Sequence, residues 1–437
     1  MTPDTVRAGD ARRLPAALPV RRSDLGRSFR LLWAGQSVSL LGDQITLVAL
    51  PLLAVRYLAA STFDVGMIGM FLRLPFLLIG LPAGVWVSRI GLHRSMISAD
   101  VARGLAIGGA ASVTLVSAHG AWTLFAAALV VGTATVFFQL SYQTIVPELV
   151  TDQGSWHAAN TRLSLSESMS VLLGPAAGGL AIAWLTPPGA LGLDGASYAV
   201  SVLTLSLLTR RPRPREHPGP APESGAGSLR RQMLDGWRYV RASSILDAIM
   251  WTGAAYNLGS AMYEALIVVF AIRGLHLTPT QFGLAIGVGG VGFPVGSALA
   301  GPLTRRLGLG PSLLWAAIPS VAGLIVSSLA GGHAPEVYLA AGTFLVGVGQ
   351  GCFAVNAMTL RQLSAAPAFR ARATAVHRFA SWGTLPIGAL LAGLVGQALG
   401  MRAAMLTAGA LAALCAWPLL ASPLRKVRTA AEATALP

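Results

Sequence analysis

Two stretches of this chain carry the same pattern 217 residues apart, and both copies lie inside apolar runs of membrane length. Ser61-Thr62-Phe63-Asp64-Val65-Gly66 aligns with Thr278-Pro279-Thr280-Gln281-Phe282-Gly283. Gly84-x-x-x-Ser88-Arg89-x-Gly91 aligns with Gly301-x-x-x-Arg305-Arg306-x-Gly308, and Gln139 falls on Asn356. A half-length repeat among bilayer-length apolar segments predicts two similar helical bundles with a working site between them.

Composition points the same way. Of the 437 residues 54% are hydrophobic and only 11% charged, where a soluble domain carries about 25% charge. Spans of about 20 apolar residues are expected near 31–56, 65–87, 96–117, 122–142, 165–185, 190–208, 247–271, 281–303, 311–330, 337–359, 376–398 and 402–421. The expected fold is an all-α polytopic membrane protein, with twelve transmembrane helices in two pseudo-symmetric six-helix bundles. Its segments are a basic N-terminal stretch 1–29, a bundle 30–209, a linker 210–244, a bundle 245–421 and a tail 422–437. Residues 210–228 are rich in Pro, Arg, Gly and Ser and cannot bury a core. Residues 229–241 read as a short amphipathic helix on the inner membrane surface, with Leu229, Met233, Trp237 and Val240 on one face.

The net charge of +15 would suggest nucleic acid in a soluble protein. Here 27 basic residues precede the first span or fall in the linker, the tail and alternate loops, and only Arg56, Arg273 and Arg402 lie on the opposite side. The positive-inside rule then places both termini and the linker in the cytoplasm. No aromatics interleave with the basic clusters, so nucleic acid is excluded as a partner. Cys352 and Cys415 fall within spans and suit neither a disulfide framework nor a metal site. Gly287-x-Gly289-x-x-Gly292 spells a dinucleotide fingerprint, but no strand precedes it, and it reads as close helix packing. The single lysine, Lys426, is in the tail, so an ATP-binding Walker motif is missing. No cofactor or metal is expected.

Charged groups at bilayer depth are functional candidates. Gln36, Ser39, Asp43 and Thr46 are spaced 3, 4 and 3 along the first span and share one helical face. Asn257, Ser260 and Glu264 repeat the pattern on the seventh span, at an offset of 221. That offset implies a loop four residues shorter in the second half, and two stripes facing one shared cavity. Asp43 lies roughly 18 Å along its helix, near the midplane. Burial favours the protonated form of a carboxyl group, so Asp43 and Glu264 are the candidate proton carriers; all seven histidines fall in loops or at span ends. Arg73 lies within roughly 7 Å of the Asp43 level and is its expected ion-pair partner; the competing reading of Asp43 is a helix-tying salt bridge. Asp194 is expected to reach water at the outer end of the sixth span. The substrate-cavity candidates are Gln36, Ser39, Gln139, Tyr142, Asn257, Ser260 and Asn356.

These features resemble the major facilitator superfamily. Gly84-x-x-x-Ser88-Arg89-x-Gly91-x-x-Arg94 is similar to its signature between spans two and three. The resemblance implies a cytoplasmic gate of Gly84, Ser88, Arg89, Gly91 and Arg94, with Gly301, Arg305, Arg306 and Gly308 as the second copy; Asp100 and Arg103, three apart near the cytoplasmic end of the third span, are expected to pair with each other or with that loop, in a structural or gating role. Ser88 stands where the family carries an aspartate, so the latch network lacks that acid. Gly174-Pro175-x-x-Gly178-Gly179 resembles the end of the antiporter signature, a kinked and closely packed helix. Gly35-Gln36-x-x-Ser39-x-x-Gly42-Asp43, Ala99-Asp100-x-x-Arg103 and Tyr142-Gln143-x-x-x-Pro147-Glu148-Leu149-Val150 resemble the drug:proton antiporter branch that includes macrolide-efflux and siderophore-export proteins.

The resemblance implies a secondary transporter, not an enzyme. It would export amphiphilic small molecules, drug-like or siderophore-like, in exchange for protons by alternating access. The expected setting is the bacterial inner membrane, with bilayer, substrate and protons as partners of a monomer. A proton-coupled importer on the same fold and a non-transporting membrane sensor are the alternatives. An intramembrane serine hydrolase built on Ser37 lacks a histidine at matching depth.

Overall fold

A computed structural model describes residues 25–116, 122–150, 152, 155–208, 226–366, 369–429 and 432. The basic stretch before residue 25 and the Pro/Arg-rich part of the linker, 209–225, lie outside the described residues, and so do the expectations placed on them.

Among the described residues the first half comprises α1 (Gly26–Tyr57), α2 (Thr62–Ile90), α3 (Leu92–Val116), α4 (Trp122–Tyr142), the short α5 (Val146–Leu149) and α6 (Trp156–Ser206). α6 supplies two spans, because Thr186 leaves helical geometry at φ 64° just before Pro187 and Pro188. The linker helix is α7 (Ala226–Ala242). In the second half, α8 (Ser244–Val269) continues into a π turn, Phe270–Gly274. α9 (Pro279–Gly290) and α10 (Gly292–Leu307) make one span, followed by α11 (Leu309–Ser328), α12 (Pro335–Ser364) and α13 (Arg370–Leu399). α14 (Met401–Ala413) and α15 (Ala416–Ala421) form the last span. Among the described residues ten segments are long and apolar enough to cross a bilayer. α6 is one of these and holds two crossings; α3, carrying Asp100 and Arg103, completes the twelve.

Local signals explain why the halves match. Ser61 and Asp64 cap α2 reciprocally, at 3.2 and 2.8 Å, and Thr278 with Gln281 does the same for α9, at 3.2 and 2.9 Å. α2 and α10 end at Gly91 and Gly308, whose φ values of 90° and 96° strain any other residue. Helix ends therefore recur 217 residues apart: Tyr57 with Gly274, Thr62 with Pro279, Ile90 with Leu307. The expected offset of 221 is corrected here, since the loop after the seventh span is as long as its counterpart.

The outside of the molecule is apolar. Trp122, Trp184 and Trp417 are 77%, 80% and 73% exposed at span ends. Such a surface would aggregate in water, but it suits lipid tails and headgroup-level anchoring. In the first half α1 packs along α6, and α3 and α4 complete the bundle; in the second, α8 packs on α13 and α14, and α12 on α10 and α11. The halves meet along two seams, α2 with α13 and α6 with α9. The apolar face of α7 docks on protein: Val240 is buried with Leu246, Met250 and Val376, and the Tyr239 ring stacks on Phe369 at 4.4 Å.

Candidate functional site

The two ends of the seams differ. On the side away from the basic clusters the halves are shut. A methyl on Gly66 would lie 2.6 Å from the Gly393 Cα, and one on Gly179 would lie 2.3 Å from the Pro279 carbonyl, so the backbones touch at both seams. Arg273 adds a clamp, donating to the Val55 and Ala60 carbonyls of the other half at 2.8 and 3.2 Å. On the basic side Gly84, Ser88, Arg89, Arg94, Gly301, Arg305 and Arg306 are exposed. Ser88 donates to a carbonyl of its own helix, Val85, at 2.8 Å. The Gly308 turn is held by the tail, through Gly310 N–H to the Val427 carbonyl at 2.8 Å. The halves are thus sealed backbone to backbone on the side away from the basic clusters.

A cavity of about 400 Å³ lies between the halves. Its wall is mostly apolar, with Gln44 and Arg73 from the first half facing Glu264, Thr343 and Gln350 from the second. Arg73 Nη2 meets Glu264 Oε2 at 2.9 Å, so one ion pair joins α2 to α8 across the cavity. Ser260 donates to the other Glu264 oxygen at 3.0 Å. The Glu264 side chain is 49% exposed, open to whatever fills the space.

A second charge centre sits inside the first bundle. Arg103 donates to Asp100, to which Ser201 also donates at 2.5 Å, and Gln36 donates to Ser201 at 2.8 Å. Arg103 also reaches Asp43 at 3.5 Å, and the Tyr198 hydroxyl donates to the same Asp43 oxygen at 2.6 Å. The guanidinium lies between the rings of Phe138 and Tyr198, 4.3 and 4.6 Å from their centroids. Asp194 accepts from Thr46 at 2.5 Å and Ser197 at 2.9 Å and is fully buried. Expected to reach water, Asp194 instead holds α6 to α1. Asp194, Ser197, Tyr198 and Ser201 recur at three- and four-residue spacing on the sixth span, a signal as plain as the one on the first.

Of the two stripes expected to face a shared cavity, that of α8 reaches it through Glu264 and that of α1 through Thr46 alone. The α1 stripe turns into its own bundle, with Ser39 buried alongside Gln36. The cause is Gly42, where a methyl would fall 2.2 Å from Asp194 Oδ1 and Ser197 Oγ; that face of α1 is docked on α6. Its counterpart 217 residues on, Gly259, docks α8 on α14 in the same way: a methyl there would fall 2.4 Å from the Ala408 carbonyl. In this register Asp43 corresponds to Ser260, and Glu264 to Leu47. Glu264 has no acidic twin, and Arg73 pairs with it rather than with Asp43.

The remaining candidates are dispersed. Asp100 and Arg103 belong to the bundle interior, with no contact to the Gly84–Arg94 loop among their hydrogen bonds. Asn257 ties α8 to α13 through the Ser381 carbonyl at 2.9 Å. Asn356 is buried within the second bundle, bonded to Thr304 and Ser312 at 2.9 and 3.1 Å. Tyr142 stacks on Phe138 inside the first, 6.0 Å between centroids. Gln139 lines a separate cavity of about 300 Å³ on the basic side, with Phe76, Phe379 and Trp382. Gly174 and Gly178 let α6 approach α1 at Gln44 and Ile45, Pro175 lies in the wall of the central cavity, and Gly179 meets α9.

Residues 21–436 match the family described as transmembrane secretion effector. The chain belongs to this family, within the major facilitator superfamily. It is 24% identical over 388 residues to the multidrug efflux pump Tap of Mycolicibacterium fortuitum, covering 84% of this chain and 88% of that one. Among solved structures it resembles the nucleoside transporter NupG, with a TM-score of 0.71 at 13% identity, over 91% of this chain and 99% of that one. It also resembles a bacterial homologue of the lysosomal transporter Spinster in an inward-facing, unoccupied conformation, with a TM-score of 0.72 at 14% identity, over 92% and 98%. The protein is thus a polytopic membrane transporter.

Proposed function

We propose that this transporter exports amphiphilic small molecules from the bacterial cytoplasm in exchange for protons, with its basic side and both termini facing inward. The observation that carries the reading is the Arg73–Glu264 pair, set in a cavity formed by both halves. A largely apolar wall with a few polar groups suits an amphiphile. In the state open to the basic side, Glu264 holds Arg73. An arriving substrate competes for that space and separates the two groups. After the halves rock, the far side opens, the substrate leaves and Glu264 takes up a proton. The neutral carboxyl has lost the charge that met Arg73, and the halves return to release the proton inside. The partial antiporter signature and the similarity to a protein named as an efflux pump support the outward direction.

Everted vesicles test this with a panel of dyes and antibiotics. The wild type is expected to dissipate an imposed proton gradient when substrate is added, and Glu264→Gln is expected to stop doing so while still present in the membrane. Asp43→Asn in the same assay reads whether the first bundle holds a second proton carrier. Uptake of a single solute by intact cells, with no dye-dependent proton flux in vesicles, would overturn export.

A further inference from the structure

A cavity of about 210 Å³ opens on the basic side of the second half, roofed by the linker helix α7 at Val240. Arg361 of α12 and His377 and Arg378 of α13 converge on it. Thr374 and Arg378 also line the aromatic cavity that holds Phe76 and Trp382, so the two spaces adjoin at those residues. Among the described residues neither arginine has a carboxylate within ion-pair distance. The acid that begins α8, Asp247, is taken by Arg241 at 2.8 Å. The His377 Nδ1 is buried with no hydrogen-bond partner. The Arg378 guanidinium lies over the Trp382 ring at 5.5 Å, and Phe76 meets that ring edge-on at 5.9 Å. Two like charges and an unpaired nitrogen around one space, with no carboxylate beside them among the described residues, favour an anion there, and the arginine forks are shaped for a carboxylate or phosphate.

We propose that Arg361, His377 and Arg378 form an anion site at the basic-side mouth, taking the carboxylate or phosphate of an amphiphile whose apolar body lies against Phe76 and Trp382. Where that amphiphile is the cargo, the site selects anionic substrates, an inference that rests on the export reading. Where it is a phospholipid of the inner leaflet, the same chemistry binds its headgroup.

The test uses the purified full-length chain. Naphthoate and its neutral amide, naphthamide, share one ring system and nearly one shape, and only the first carries a charge. The wild type is expected to bind naphthoate about tenfold tighter, the scale of one charge-assisted contact. The double substitution Arg361→Gln, Arg378→Gln is expected to erase the difference, and the Lys pair to restore most of it. Arg378→Gln alone, at an exposed position, serves if the double variant does not fold. In native mass spectrometry, phosphatidylglycerol that survives delipidation on the wild type but not on the variant identifies a lipid headgroup as the source; naphthoate selectivity without retained lipid identifies a soluble anion. No preference for charge in either measurement overturns the site. Charge-selective binding by a protein that exports nothing in vesicles would sink the export reading and leave the site standing.

Discussion

In the first bundle Arg103 pairs with Asp43 and Asp100, and these two and the buried Asp194 each accept a hydrogen bond from a hydroxyl: Tyr198 to Asp43, Ser201 to Asp100, Thr46 and Ser197 to Asp194. Across the central cavity Glu264 has one guanidinium, one serine and an open side. Both centres are acids and an arginine in membrane-spanning helices, and they are built for different ends. In the first, Arg103 and two of the acids are sealed by helix packing, so the charges hold helices in register. In the second, the partners belong to different halves and can part without breaking a bundle. Distance from a helix end does not separate these cases; what the neighbouring helix touches does.

The largest effect that would sharpen this contrast is on folding. Arg103→Leu leaves Asp100 and Asp43 without their cation, and about 3–5 kcal/mol of stability should go with it, seen as lost monodisperse protein and a lower melting temperature in detergent. If that variant folds normally, the first centre is not a scaffold. Next, Glu264→Gln should keep its melting temperature and lose proton-coupled flux by about a hundredfold, the scale of removing a positioned proton-transfer group. A large fall in stability with little change in flux would reverse the two assignments.

Much of the architecture is written in plain sight. The twelve spans, the equal capping boxes and the glycines ending α2 and α10 follow from local chemistry, and the structure places them where periodicity does. The site was less legible, for a physical reason. A stripe of polar residues says which face of α1 is polar, not which helix covers it. Gly42 held that answer, because a missing side chain admits α6 there and sends Asp43 inward. Aligning acid with acid across the halves hid it; aligning glycine with glycine, Gly42 with Gly259, recovers the register. Asp194 was misplaced because depth along a helix does not show that Thr46 and Ser197 close over it.

Smaller effects probe the seams that let the second centre move in the proposed cycle. Gly179→Val places methyl groups against the Pro279 carbonyl, an overpacking of about 1–3 kcal/mol. It should pry the far side open, raising the labelling of a cysteine introduced there. Unchanged labelling would mean that the α6–α9 seam does not control access. Arg273→Ala removes two hydrogen bonds from a charged donor and should shift the same labelling more weakly, by about 1–2 kcal/mol. An equal effect in a variant altered only inside the first bundle would erase the distinction between scaffold and moving parts.

In the proposed export cycle the Arg273 clamp has a consequence for how acidity is sensed. Its acceptors are peptide oxygens, which stay uncharged at any physiological proton concentration. An acidic exterior therefore cannot loosen this bolt by titrating it. The lock on the far side is deaf to pH, and in the proposed cycle a proton from there is felt only after the halves have parted for another reason.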